Sequence, residues 1–223
     1  MNIFFRFSRF IKYYLNIKSV YLNFRLLPFS KAIYLPIDCA SNVSLKRLTG
    51  RVNIVGDLFF RGMIRIGYGD VTIIDNKYPR TILDITGCLV FKGPAHIGYG
   101  SSLGVGGELI LGKNFRITAR STIVASKRVE FGRNCLLSWD ILVMDTDFHD
   151  ILNFEGVVIN EPTEIVIGNK VWIGCRTTIL KGTTIEDNNI IGANSLITKK
   201  YFGKNQIIAG QPGKILRDKV NWR

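Results

Sequence analysis

Residues 167–200 read IGNKVWIGCRTTILKGTTIEDNNIIGANSLITKK, with isoleucine at 167, 173, 179, 185, 191 and 197. A step of six fits neither the 3.6-residue period of an α-helix nor the two-residue alternation of a plain strand. It does fit a prism. One hexad is then a flat side, made of a short strand and a corner, and three sides close a coil of about eighteen residues. Stacked coils pair as parallel strands about 4.8 Å apart, so each sixth aliphatic points inward and lies on its counterpart in the next coil.

The step continues upstream in shorter runs. Leu111, Ile117, Ile123 and Val129 form one series, and Phe131, Leu137 and Val143 form another, displaced by two residues. The phrases ELILGKN, VEFGRNC and EIVIGNK resemble one another: alternating aliphatics, then glycine and a polar turn. Glycine suits such corners because its backbone reaches angles closed to other residues.

The 223-residue chain carries a net charge of +13, and 47% of its residues are hydrophobic, enough for one main domain with a sizeable core. The charge sits at the ends. Residues 1–37 carry six cations and no acid; residues 199–223 carry another +6, leaving +1 between. Anionic partners therefore belong at the termini, although no nucleic-acid motif is present. Cys39, Cys88, Cys135 and Cys175 lie far apart without CxxC spacing, which argues against a disulfide framework or zinc site and for a reducing, cytoplasmic location.

Six residues after Val143 the inward position falls on His149, and the step resumes only at Ile167. The intervening HDILNFEGVVINEPTEIV has no six-step, so a loop excursion is expected over about 149–165, and long loops on rigid scaffolds are commonly functional. MDTDFHDI places His149 among Asp145, Asp147 and Asp150. A carboxylate there could fix the tautomer of the ring. The other histidine, His96 in GPAHIGYG, reads as an ordinary hydrogen-bonded side chain. Trp172 precedes inward Ile173, so alternation points it outward, to a subunit interface or a cofactor.

The stretch 165–217, ending in IIAGQPGKILR, resembles the hexapeptide-repeat acyltransferases, and most of all the maltose/galactoside-type O-acetyltransferases and their relatives in capsule and O-antigen synthesis. The resemblance implies an all-β, left-handed parallel β-helix, expected over 41–203; residues 1–40, outside the resemblance, read as a basic N-terminal segment, and Pro212–Gly213 mark a turn before a short helix within 204–223. The resemblance also implies acetyl-CoA as donor, a sugar hydroxyl in surface-polysaccharide synthesis as acceptor, and a homotrimer. His149 matches the general base, with Asp147 and Asp145 as candidate partners. Lys214 and Arg217, three apart on the expected helix, match cations beside the coenzyme phosphates. Thr198 and Lys199 match a second contact strip, and Cys175 and Ala193 match backbone positions along the pantetheine arm. No metal is required; zinc-binding relatives use three histidines, and this chain has two. Alternatives are N-acetylation of an amino sugar and a non-catalytic scaffold.

Ten aromatics are interleaved with six cations in residues 1–35. Two readings fit: an amphipathic helix against an anionic membrane surface, or a helical cap over the open end of the rod.

Overall fold

The computed structural model describes residues 16–56, 58–69, 71–75 and 78–223. Among them, 23 strands form three sheets of nine, seven and seven strands, each sheet taking every third strand in sequence except that the last two strands both join the nine-stranded sheet. We call these the first, second and third sheets, in the order in which the chain visits them. Within the second sheet Leu103, Ile123, Val143, Ile179 and Ile197 lie in register on one another. In the first, Ile97, Ile117, Leu137, Ile173, Ile191 and Ile208 do the same, and in the third Phe91, Leu111, Phe131, Ile167, Ile185 and Tyr201. All of these are buried. Each contributes about 1.5–3 kcal/mol by burial, so the columns are the core.

The coil is not constant. It takes twenty residues from Leu109 to Val129 and eighteen from Val166 to Thr184. In the longer coils the third side runs from Ile123 to Phe131, with both Val129 and Phe131 inward; in the shorter ones it runs from Ile179 to Ile185. That difference is the two-residue displacement seen in the sequence. At the corner between third and first sheets, Asn114, Asn134, Lys170, Asn188 and Asn205 take left-handed angles (φ 53–60°), a region asparagine tolerates better than most residues. Gly132 sits where coils nearly touch: a Cβ there would lie 2.6 Å from the Gly168 carbonyl carbon.

Both ends of the first sheet are closed by elements outside the repeat. The helix Ile17–Leu26 lies beyond the edge strand Ile37–Cys39, with Leu22 and Leu26 buried. Asn23 Nδ2 donates to the Ile37 carbonyl at 2.7 Å, and its Oδ1 accepts the Ile37 N–H at 3.0 Å. The Cys39 N–H donates to Ser19 Oγ at 2.9 Å, and Asn16 Nδ2 bonds the Cys39 carbonyl. Side chains of a helix thus satisfy the groups an edge strand leaves unpaired. Residues 1–15 lie outside the described residues. Among those described, no helix is long and apolar enough to cross a membrane.

At the far end the expected C-terminal helix is absent. Lys214–Arg217 is a strand, antiparallel to Ile207–Ala209. The last coil offers an unpaired edge there, and a returning strand pairs it backbone to backbone. The chain then follows the corner between third and first sheets. Val220 N–H donates to the Asn205 carbonyl at 2.9 Å, and Trp222 Nε1 to the Lys170 carbonyl at 2.9 Å.

Candidate active site

The repeat breaks after the strand Leu142–Met144, at the corner between second and third sheets. Val129 pairs with Ile165, 36 positions on, so this one coil contains the excursion. The inward slot six residues after Val143 is filled by Ile165, fully buried. His149 is therefore not inward, as the phase predicts; it lies exposed in the outgoing limb. The chain leaves the rod before the sixth position is reached.

Asp145 marks the departure. Its side chain is fully buried, and its carboxylate accepts N–H groups from Ser126 (2.7 Å), Lys127 (2.8 Å) and Arg128 (2.7 Å). Its carbonyl takes the Thr163 N–H at 3.1 Å, which ties the returning limb to the same corner. Asp145 is thus committed to the corner of the preceding coil and does not orient the His149 ring. Three backbone N–H groups are a strong reason for a carboxylate to be buried here.

Asp147 does not contact the ring either. Its Oδ2 accepts from Lys181 Nζ at 2.5 Å and from Asn160 Nδ2 at 2.8 Å. The hydrogen bond from Lys181, then that from Asn160, holds this carboxyl below its usual range. Asn160 Nδ2 also donates to the His149 carbonyl at 2.8 Å, and Lys181 Nζ to the Asn160 carbonyl at 2.6 Å. Asp147 therefore positions the backbone of His149 through Asn160. Phe148, next to the histidine, holds φ at 63°, and its N–H donates to Thr146 Oγ1 at 3.1 Å. Among the described residues the imidazole itself has no hydrogen-bond partner, so its nitrogens face whatever enters from outside. Beyond it Leu152 and Val158 form an antiparallel bridge, and Ile151, Leu152, Phe154, Val157 and Ile159 stand exposed.

The remaining expected site residues fall at three places on the prism. Thr198 and Lys199, both exposed, lie at the corner of the excursion, after the second-sheet strand Leu196–Ile197. Lys199 Nζ lies 5.5 Å from the Tyr201 ring centroid. Cys175 and Ala193 lie one coil apart at the opposite corner, between first and second sheets, where the Asn194 N–H donates to the Cys175 carbonyl at 2.8 Å.

Lys214 and Arg217 lie on the closing strand, and the loss of the helix does not separate them. A bulge sets Arg217 opposite Ile207 and Lys214 opposite Ala209, alternate residues of one strand, so both cations share one face. Trp172 is outward on the same sheet and partly covered. Its ring centroid is 6.1 Å from that of Trp222, and its Nε1 donates to Ser138 Oγ at 3.2 Å. His149 and the Cys175–Ala193 corner thus stand at opposite ends of the second sheet. One chain does not bring them together.

The sequence reading missed Asn160, Lys181 and Trp222. Asn160 lies where no period operates, Lys181 is one more corner lysine before Gly182, and Trp222 was lost in the expected helix. The four cysteines are free. Among the described residues no group of three or more His, Cys, Asp or Glu is placed to hold a metal.

Residues 164–199 match the bacterial transferase hexapeptide (six repeats) family. Galactoside O-acetyltransferase of Escherichia coli (strain K12) is 36% identical over 115 residues, 51% of this chain and 55% of that protein. Polysialic acid O-acetyltransferase of Neisseria meningitidis is 35% identical over 102 residues, 45% of this chain and 47% of that protein. The chain spans about half the length of the curated relatives it matches. The crystal structure of the polySia specific acetyltransferase NeuO aligns with a TM-score of 0.54 at 20% identity, over 84% of this chain and 83% of that one. With the repeat match, that likeness identifies the rod as a left-handed parallel β-helix.

Proposed function

We propose, for a chain that carries the hexapeptide repeat of bacterial transferases, that it moves an acetyl group from acetyl-CoA to a sugar hydroxyl of a surface polysaccharide or its precursor. The observation that carries this reading is His149: exposed on a clasped excursion, with its backbone fixed by Asn160 and its ring unpartnered. The imidazole takes the hydroxyl proton as the sugar oxygen attacks the thioester carbonyl. The tetrahedral intermediate then expels the coenzyme thiolate, which recovers that proton from the imidazolium. The acetyl carbon thus exchanges its bond to sulfur for one to oxygen, and no acyl-enzyme forms.

Lys214 and Arg217 would face the coenzyme phosphates, with the Cys175–Ala193 corner along the pantetheine and Trp172 beside it. Thr198 and Lys199 would supply the contact strip on the His149 side. Since His149 and the Cys175–Ala193 corner stand at opposite ends of the second sheet, the working unit is a cyclic homotrimer. In it the excursion of one copy meets the Cys175–Ala193 corner of the next. The enzyme works in the cytoplasm, in contact with the anionic inner face of the membrane.

The test is thiol release from acetyl-CoA with a panel of acceptors. Release that requires a hydroxyl sugar supports the proposal. Release only with amino sugars would make it an N-acetyltransferase, and none with any acceptor would leave a scaffold.

A further inference from the structure

The helix Ile17–Leu26 is apolar on two faces. One is spent on the rod: Ser19, Leu22, Asn23 and Leu26 are buried against its first coil. Ile17, Tyr21 and Phe24, spaced by four and three, form a second stripe, exposed to 81%, 52% and 48%. At 100° per residue the two faces lie nearly opposite each other. A helix that covers a core normally shows water a polar back, so a second apolar stripe calls for a second apolar environment. The same spacing continues in the sequence at Tyr14, Phe10, Phe7 and Ile3. Exposed Phe29 extends the patch, its ring centroid 6.0 Å from that of Phe24.

The direction of the stripe follows from the cap. Hydrogen bonds of an edge strand point along the rod axis, and the helix binds that edge through Asn16, Ser19 and Asn23. Its far side therefore looks out along the axis, beyond the end of the rod, where copies packed side by side do not cover it. The charge of this part of the sequence is one-sided: residues 1–61 carry ten Lys and Arg against Asp38 and Asp57. Among the described cations Arg25, next to Phe24 in the helix, is exposed, whereas Arg47 pairs with Asp84 at 2.7 Å. Asp38 is already engaged by Ser19 Oγ at 2.9 Å and by the Tyr68 hydroxyl at 3.0 Å.

We infer that the N-terminal end of the rod docks end-on onto an anionic lipid bilayer, with Ile17, Tyr21 and Phe24 entering the interface and the surrounding cations facing the headgroups. Capping and membrane contact are then two faces of one helix. This gives the membrane contact proposed above a defined surface, and it stands independently of the acyl-transfer chemistry.

The experiment is co-sedimentation of the full chain with vesicles of phosphatidylglycerol and phosphatidylcholine, against vesicles of phosphatidylcholine alone. The parent should pellet with the anionic vesicles and be released by salt. The triple variant Ile17→Ser, Tyr21→Ser, Phe24→Ser should bind about tenfold more weakly or worse. Phe24→Ser alone, the smallest change to the outer face, should weaken binding in part and keeps the test open should the triple variant misfold. A parent that stays in the supernatant overturns the inference, as does a folded triple variant that binds like the parent. A parent that self-associates through this stripe without binding vesicles overturns it in favour of a second copy. Acetyl transfer to a soluble sugar should be unchanged in the triple variant, so the vesicle result and the proposed activity fail separately.

Discussion

The ammonium of Lys181 stands 2.5 Å from Asp147 Oδ2 and 2.6 Å from the Asn160 carbonyl, so one cation ties the outgoing limb of the excursion to the returning limb. Lys181→Met should free Asn160, and with it the backbone of His149, while the rod stays folded. Amide exchange over 149–162 should quicken at an unchanged melting temperature. The pH dependence has a definite sign. Asp147 is depressed by Lys181 and then Asn160, so the clasp is complete above the ordinary carboxylate range near about 4 and is lost as pH falls through the lower folded value. Acidification should loosen the parent loop; Lys181→Met should remove that dependence.

His149→Ala should lower turnover by about 10²–10⁴-fold, the usual cost of removing a positioned base. Its affinity for acetyl-CoA, measured by calorimetry, should stay at the parent value. His96→Ala, on the strand Ala95–Gly98 away from the excursion, should stay within a few-fold. Near-parent turnover of His149→Ala would make the histidine structural and remove the proposed mechanism.

Lys214→Ala with Arg217→Ala should raise the apparent constant for acetyl-CoA more than it lowers turnover, and should erase any preference for coenzyme A over dephospho-coenzyme A. Co-expression of this double variant with His149→Ala tests the geometry more sharply. If each site takes its histidine from one copy and its cations from another, random mixing assayed at acetyl-CoA well below the double variant's apparent constant should restore about a quarter of the sites. Mixed trimers no more active than either parent variant would place both groups in one chain's site.

Ile179 is fully buried between Val143 and Ile197, on the coil that follows the excursion. Ile179→Ala should cost about 2–5 kcal/mol in denaturant unfolding, because the columns above and below leave little room for collapse. An effect below about 1 kcal/mol would mean that the stack relaxes around the gap.

Ile167 and Ile173 could be placed inward from the sequence because every sixth residue meets the same environment, and any other phase would bury polar residues. His149 could not. Periodicity says where a repeat stops but not whether the next residue still belongs to the coil, and Ile165 turned out to hold the slot. The role of Asp145 was hidden for a different reason. Its donors, Ser126 to Arg128, come from the preceding coil, and local alternation carries no information about them. Lys214 and Arg217 fit a helix face by spacing alone. The unpaired edge of Ile207–Ala209, a tertiary demand, made them a strand, and the bulge restored their common face.

The returning strand Lys214–Arg217 also limits how far the molecule can grow. A parallel stack of coils has no internal reason to end, since each new edge is a template for the next, and identical rods could add tip to tip into a filament. An antiparallel strand offers the wrong polarity for another coil, and its exposed Lys214 and Arg217 repel a second copy. A chain cut after Gly210 would lose that stop. With the other edge still covered by the helix Ile17–Leu26, light scattering should then show concentration-dependent pairing through the freed tip where the parent holds a fixed size, and a truncated chain of constant size would assign the stop to the last coil itself.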